Sequence, residues 1–204
     1  MAEIVVDEVR AEGRRIRSSA TATGDCRRFL TGESFVVEYD VDVSEVPPAL
    51  LAVPALAQVA PVAWAAGADV RVPVLDRRFL QTLRHVRGVL CEMYPTFMEG
   101  GRVLVDDVVD LEAPPREPST VGMLFTGGVD SLATYIRHEE KHPTLITVQG
   151  WVVGLDDEAR WAGTRRHVEA FADARGLESH AIRSNMKSVL DMPMLQAHFK
   201  RFID

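Results

Sequence analysis

One short stretch constrains the fold of this chain more than any other. Within residues 121–131, an apolar, strand-like run leads into two adjacent glycines, Gly127 and Gly128. Asp130 and Ser131 then open a segment with helical periodicity. The start of a helix leaves several backbone N–H groups unpaired, and paired glycines let an anion approach them with no Cβ in the way. The stretch therefore predicts a phosphate-binding loop.

Three well-known loops are excluded by what this stretch lacks. A Walker A loop requires a lysine that reaches the β- and γ-phosphates, and no lysine occurs between Gly127 and Glu140. A dinucleotide-binding fingerprint requires a third glycine in GxGxxG, and none follows here. The GxSxG elbow of α/β-hydrolases is also absent. The pattern that remains is [S/T]-G-G-x-D-S after a strand.

Residues 125–131, FTGGVDS, resemble the loop of the PP-loop ATP pyrophosphatase family. The only departure is Thr126 where serine is usual, and threonine keeps the hydroxyl. The resemblance implies an α/β fold with a parallel sheet, the Rossmann-like adenine nucleotide alpha-hydrolase-like domain, and it implies ATP and Mg²⁺ as ligands. In that family a substrate oxygen attacks the α-phosphorus, which gives an adenylated intermediate and pyrophosphate. A nitrogen or sulfur nucleophile then displaces AMP.

The chemistry of the loop follows from its residue types. The two glycines expose N–H groups, and the hydroxyls of Thr126 and Ser131 add donors around the same anion. Asp130 is placed to hold a Mg²⁺ ion that bridges the phosphates. Such a cradle stabilises the charge on leaving pyrophosphate, so Asp130 and Ser131 are the predicted catalytic residues. The predicted ATP ligands of the loop are Phe125, Thr126, Gly127, Gly128, Asp130 and Ser131.

Two further segments are predicted to contact the nucleotide. The resemblance places the adenine at the end of the second strand, on Val148, Gln149 and Gly150. Trp151 either stacks on the base or is simply packed. Ser184 and Asn185 follow the third strand, at the carboxyl edge where open α/β sheets bind ligands, and are candidates for ribose or substrate contact.

The chain before the loop predicts a small α+β domain over residues 1–111. Alternating apolar residues in 34–43 predict an antiparallel strand with one wet face. The polar, arginine-rich stretch 11–32 is expected to be a solvated surface, although a phosphate or nucleic-acid role stays open for it. The other predicted strands cover 3–9, 70–74 and 102–111, and the helices cover 48–66, which Pro54 and Pro61 interrupt, and 76–94.

A proline-rich linker, residues 112–119, separates this domain from the nucleotide-binding domain over 120–204. Strands and helices alternate there, which predicts a parallel sheet covered by helices on both faces. The last of these helices is expected to begin near Pro193. The family sheet has five strands in the order 3-2-1-4-5, and only three strand–helix units are present. A further domain, a subunit or a second copy of the chain is therefore expected to complete the sheet, and the first domain or a second chain is expected to pack against the edge of the loop strand.

The composition of the chain limits which partners, metal sites and cell compartment are expected. The 204 residues carry a net charge of −7, so no general attraction to nucleic acid is expected, although the tRNA-modifying relatives leave such a partner open. Cys26 and Cys91 lack zinc-binding spacing and lie far from the loop in sequence. Acidic residues near the start argue against a signal peptide, which makes cytoplasm the default location. Prolines within 48–66 favour a buried helix over a membrane span.

Two functions follow from the sequence. The first is an enzyme of the AMP-forming ligase type, which adenylates a small molecule or nucleobase and releases pyrophosphate. The alternative is a non-catalytic adenine nucleotide-binding or scaffold module that lacks the second half of the active site. The role of the first domain stays open, with substrate or partner recognition as one reading.

Overall fold

A computed structural model of the chain describes residues 2–95, 100–112 and 121–203, the last five of these by backbone alone. In chain order the elements are β1 (Glu3–Glu12), β2 (Arg15–Thr23), β3 (Phe35–Tyr39), α1 (Pro48–Leu51), α2 (Val53–Ala65), β4 (Asp69–Asp76), α3 (Arg77–Met93), β5 (Val103–Val109), β6 (Gly122–Leu124), α4 (Val129–His138), β7 (Thr144–Gln149), α5 (Glu158–Asp173), β8 (Ser179–Ser184), α6 (Met186–Val189) and α7 (Met192–Ile203).

The chain divides into two compact units, and the division differs from the predicted domain boundaries. The segment Val37–Asp42 belongs to the second unit although it lies in the predicted first domain. The segment Asn185–Asp204 belongs to the first unit although it lies in the predicted second one. Apart from Glu112, the predicted linker falls outside the described residues.

The first unit contains a four-stranded sheet in the order β5-β4-β1-β2. β4 runs parallel to both β1 and β5, whereas β1 and β2 form an antiparallel hairpin that turns at Gly13. The expectation that 11–32 is only a solvated surface is wrong, because β2 lies inside it. Ile16 and Ser18 are buried there at 4% and 1% exposure, between arginines and small polar residues that hide the strand period.

The proline-containing segment 48–66 forms α1 and α2, as predicted. Both helices contact β1 and β4, and the core between them includes Ile4, Val70 and Trp64, all fully buried. Within the described part of the chain, no helix is long and apolar enough to cross a membrane.

In the first unit, the sequence patterns predict where α3 and α7 begin, but they do not predict where α7 packs. α3 begins where predicted, because the Asp76 carboxylate accepts N–H groups of Arg78 and Phe79 at 3.0 Å. α7 begins beside Pro193, also as predicted, but it does not belong to the nucleotide-binding unit. Leu195 is buried, and the His198 ring lies 5.1 Å from that of Phe29.

The second unit contains strands in the order β3-β8-β7-β6. β6, β7 and β8 are parallel, as predicted, and β7 lies between the other two. The predicted antiparallel pairing of the alternating strand is confirmed as well, but its partner is β8, with Val37 opposite Ser184. The polar–apolar alternation revealed the kind of pairing and carried no information on which strand would be the partner.

Helices α4 and α5 pack on the same face of the second unit's sheet, so the prediction of helices on both faces is wrong for the residues that the structure describes in this unit. Their shared core joins Leu145 of β7 and Phe125, the residue after β6, to Tyr135 of α4 and Val168 of α5. Strand order advances in one direction from β6 to β8, and successive right-handed crossovers in one direction place their helices on one side.

The outer side of β6 ends the strand order, so none of the described strands pairs with it. Leu124 is 69% exposed at this edge, and Val129 and Ile136 of α4 are 83% and 60% exposed. In the family order, strands four and five would continue from here. Coverage of this edge by a further domain, a subunit or a second copy stays a prediction.

Candidate nucleotide site

The glycine loop is anchored to the neighbouring strand at its first residue. Phe125 is 1% exposed, and its N–H donates to the carbonyl of Ile146 at 2.8 Å. Its own carbonyl accepts the hydroxyl of Thr147 at 2.7 Å. These two bonds hold the start of the loop against the carboxyl half of β7, where the adenine is predicted to lie.

The turn itself requires glycine and leaves donors free. Gly127 has φ +77°, a left-handed conformation that side chains other than glycine adopt only with strain. Gly128 is the N-cap of α4 with φ −75°, and no side chain caps the helix start. The first helical bond runs from the Leu132 N–H to the Gly128 carbonyl at 2.9 Å. The N–H groups before it therefore point out of the positive end of α4.

The three predicted side-chain ligands differ in whether other described residues already hydrogen-bond them. Thr126 is exposed, and none of the described residues hydrogen-bonds its hydroxyl. Asp130 is also exposed, with no described partner for its carboxylate. The Ser131 hydroxyl donates to the Gly128 carbonyl at 3.0 Å, so it must rotate before it donates to a phosphate. Thr126 and Asp130 are therefore available for a ligand without any rearrangement.

A magnesium ion fits this site only as a companion of the phosphates. The described residues contain no group of three or more His, Cys, Asp or Glu side chains able to hold a metal. Mg²⁺ is commonly bound through one or two carboxylates and substrate phosphates, and keeps several waters. Asp130 supplies one carboxylate at the loop. The donor set therefore suits a magnesium that arrives with ATP.

The predicted adenine segment lies at the end of β7. Gln149 is fully buried, on the same face as Thr147, and its Nε2 donates to the Gly154 carbonyl at 2.9 Å. Gly150 has φ +110°, and its N–H donates to the Val153 carbonyl at 2.8 Å. Residues 150–154 thus form a closed turn. Trp151, in that turn, is 48% exposed.

Two buried polar atoms near this turn have no hydrogen-bond partner among the described residues. They are Oε1 of Gln149 and the hydroxyl oxygen of Ser184. An unsatisfied buried polar atom costs roughly 1–3 kcal/mol. Such atoms are usually satisfied by a water or a ligand.

Asn185 belongs to the first unit, and its amide is already engaged there. Its Oδ1 accepts the Val36 N–H at 2.8 Å, and its Nδ2 donates to the Ser34 carbonyl at 2.9 Å. These two bonds join the Asn185 side chain to the backbone at the start of β3. Its contact with a nucleotide or substrate stays a prediction.

The structure adds one residue that the sequence patterns do not reveal. A Cβ placed on Gly127 would lie 2.5 Å from both Cδ2 and Nε2 of His167, an exposed residue of α5. The apolar stripe of α5 locates the buried neighbour Val168, but says nothing about where His167 points. The contact joins residues forty positions apart and follows only from the packing of α5.

Both cysteines lie in the first unit, and Cys26 lacks the surroundings of a nucleophile. Cys26 is fully buried in the first unit, and its Sγ donates to the Thr23 carbonyl at 2.9 Å. Burial raises the pKa of the Cys26 thiol, which favours the unreactive protonated form. Cys91 is a free thiol in α3 of the same unit.

Comparisons of the chain with family models, with curated proteins and with solved structures find no match. The likeness of residues 125–131 to the PP-loop therefore rests on the loop sequence and on its place between β6 and α4.

Proposed function

We propose that the protein is an ATP-binding enzyme that adenylates a small-molecule or nucleobase substrate and releases pyrophosphate. The observation that carries the proposal is the uncapped start of α4, which follows a left-handed glycine at the end of a parallel strand. The Thr126 hydroxyl and the Asp130 carboxylate, which none of the described residues hydrogen-bonds, flank the free N–H groups in the chain. This combination suits a magnesium-bound polyphosphate.

The proposed arrangement assigns each part of ATP to a part of the second unit. The loop amides would hold the β- and γ-phosphates, and Asp130 would hold a Mg²⁺ ion that neutralises part of their charge. The adenine lies at the end of β7, where Oε1 of Gln149 is a buried acceptor suited to the amino group of the base. Gly150 allows the backbone of that turn to approach the base closely.

The proposed reaction needs stabilisation of negative charge more than it needs a reactive side chain. A substrate oxygen forms a bond to the α-phosphorus, and the bond from that phosphorus to the bridging oxygen breaks. The departing pyrophosphate carries the additional charge. Fixed N–H dipoles and a metal ion aimed at that charge lower the barrier. Asp130 and Ser131 serve this step by holding the metal and the phosphate.

The test of this proposal is calorimetric titration of the protein with ATP, with and without Mg²⁺. Wild-type protein is expected to bind ATP more tightly when Mg²⁺ is present. In Asp130→Asn that gain is expected to disappear, because the neutral amide is a poor magnesium ligand. Asp173→Asn, which changes an exposed carboxylate of α5, is the matched control and should keep the gain. An unchanged magnesium effect in Asp130→Asn would remove the assigned role.

A non-catalytic nucleotide-binding module is the second candidate, and the strand order favours it. β6 ends that order among the described strands, so the half of the family's sheet that often carries substrate residues is not found beside the loop. Product analysis separates the two candidates. An enzyme converts ATP to AMP and pyrophosphate with some member of a panel of acids, amides and nucleobases, whereas a module binds ATP and leaves it intact with all of them.

A further inference from the structure

His167 lies against the phosphate loop, and its Nε2–Cδ2 edge is the part of the ring nearest to Gly127. Because no Cβ projects from residue 127, the imidazole can approach the backbone of the turn. A methyl group there would be 2.5 Å from two ring atoms, well inside van der Waals contact. The glycine therefore serves a second purpose beside its left-handed φ, since it makes room for this ring.

The position of His167 is fixed by the packing of α5. One residue later, Val168 is 2% exposed in the core of the second unit. One turn later, the Phe171 ring lies 4.6 Å from that of Phe125 and 5.1 Å from that of Tyr135. These contacts join α5 to the residue that starts the loop and to the middle of α4. The packing of α5 therefore holds the backbone of His167 beside the loop.

The ring is also available to a ligand. His167 is exposed, and none of the described residues hydrogen-bonds either of its ring nitrogens. An imidazole N–H beside unpaired helix amides is a further donor for an anion.

We propose that His167 donates a hydrogen bond to the pyrophosphate part of the bound nucleotide, as a ligand on the wall opposite the amides of α4. This inference rests on the proposed function and deepens it. The loop amides would hold the phosphates from one side, and His167 would hold them from α5. The proposed function assigns the adenosine part of the ligand to the end of β7, whereas His167 lies beside Gly127. Loss of His167 therefore weakens binding of pyrophosphate and ATP, and leaves binding of AMP unchanged.

The experiment is calorimetric titration of the whole chain with three probes: inorganic pyrophosphate, ATP and AMP, each with Mg²⁺. His167→Ala is expected to weaken binding of pyrophosphate and ATP by roughly tenfold or more, the range for a hydrogen bond to a charged group. His167→Gln keeps a side-chain N–H and is expected to recover part of that loss. His138→Ala, which removes an exposed histidine in the last turn of α4, is the matched control.

The outcomes separate this inference from the proposed function. Pyrophosphate affinity in His167→Ala within twofold of wild type overturns the role of His167, while wild-type binding of ATP leaves the loop site standing. An equal loss for AMP and pyrophosphate also overturns it, because that pattern indicates a general disturbance of the unit. If wild-type protein binds neither pyrophosphate nor ATP, the nucleotide site itself is refuted. Thermal melts of both His167 variants confirm that they are folded when titrated.

Discussion

A Cβ built on Gly150 would lie 1.7 Å from the carbonyl oxygen of Ser184. The ends of β7 and β8 therefore approach more closely here than any side chain other than glycine permits. Gly150 is also the first residue of the turn that carries the predicted adenine contacts, and its φ is +110°. The close approach of β7 and β8 at this part of the site therefore requires a residue without a Cβ at position 150.

Gly150→Ala is expected to lower the free energy of unfolding by at least about 1–3 kcal/mol, because the backbone of β8 must shift to admit the methyl group. Urea denaturation measures the loss. Gly176→Ala is the control: Gly176 also has positive φ, but a Cβ there meets nothing within 4 Å. Its cost is therefore limited to backbone strain and should be the smaller of the two. Equal losses would show that the contact with Ser184 is unimportant.

Thr126 offers a test of the loop that leaves its backbone alone. Thr126→Val keeps the shape of the side chain and removes the hydroxyl, so ATP affinity is expected to fall roughly tenfold, as for one hydrogen bond to a charged group. Thr126→Ser keeps the hydroxyl and should bind ATP as the wild type does. Calorimetry compares the three proteins. Tight ATP binding by Thr126→Val would show that the hydroxyl does not contact the phosphates.

The first unit contains an ion pair whose contribution to stability depends on pH. The Asp69 carboxylate accepts the backbone N–H of Arg102 and its Nη2, both at 2.8 Å. The hydrogen bond from the Arg102 side chain lowers the pKa of Asp69 below its ordinary value. A lowered pKa in the folded state means that the stabilisation is present above the ordinary aspartate pKa, about 3.9, and is lost as the pH falls through the folded-state pKa.

Asp69→Asn is therefore expected to reduce the free energy of unfolding at pH 7 by about 1 kcal/mol, a low value for a charged pair because solvent screens the exposed Arg102 side chain. The difference from wild type should shrink as the pH is lowered below about 4. Denaturant titrations at several pH values measure it. Asp106→Asn removes a 58% exposed partner of Arg71 and should have the smaller effect. A deficit that persists unchanged at acid pH would contradict the assignment.

The sequence predicts most of the local structure because local rules govern it. The start of α3 at Asp76 follows from the capping chemistry of an aspartate. The buried face of α5 follows from the spacing of Trp161, Val168 and Ala172. The glycine loop is predicted for the same reason, since its conformation depends on residues that are adjacent in the chain.

The sequence did not predict one strand, and it did not predict several contacts between elements. β2 buries Ile16 and Ser18, a pair with too little hydrophobicity to reveal a strand. The amphipathic pattern of α7 shows that one face is buried, but not that it packs in the first unit beside Phe29. The contact of His167 with Gly127 has no sequence pattern at all, because it depends on how two crossovers place α5 beside the loop. Patterns with a period identify elements, whereas the pairing of elements follows from the whole fold.

The central claim is that the start of α4 binds the phosphates of ATP, and an NMR titration of ¹⁵N-labelled protein with ATP and Mg²⁺ tests it most directly. The amide signals of Gly127, Gly128, Val129, Asp130 and Ser131 are expected to shift together and saturate at one ATP per chain. Inorganic pyrophosphate should shift the same signals and leave those of residues 148–150 unchanged. Saturable ATP binding that leaves the loop amides in place, or no binding at all at millimolar ATP, would contradict the account.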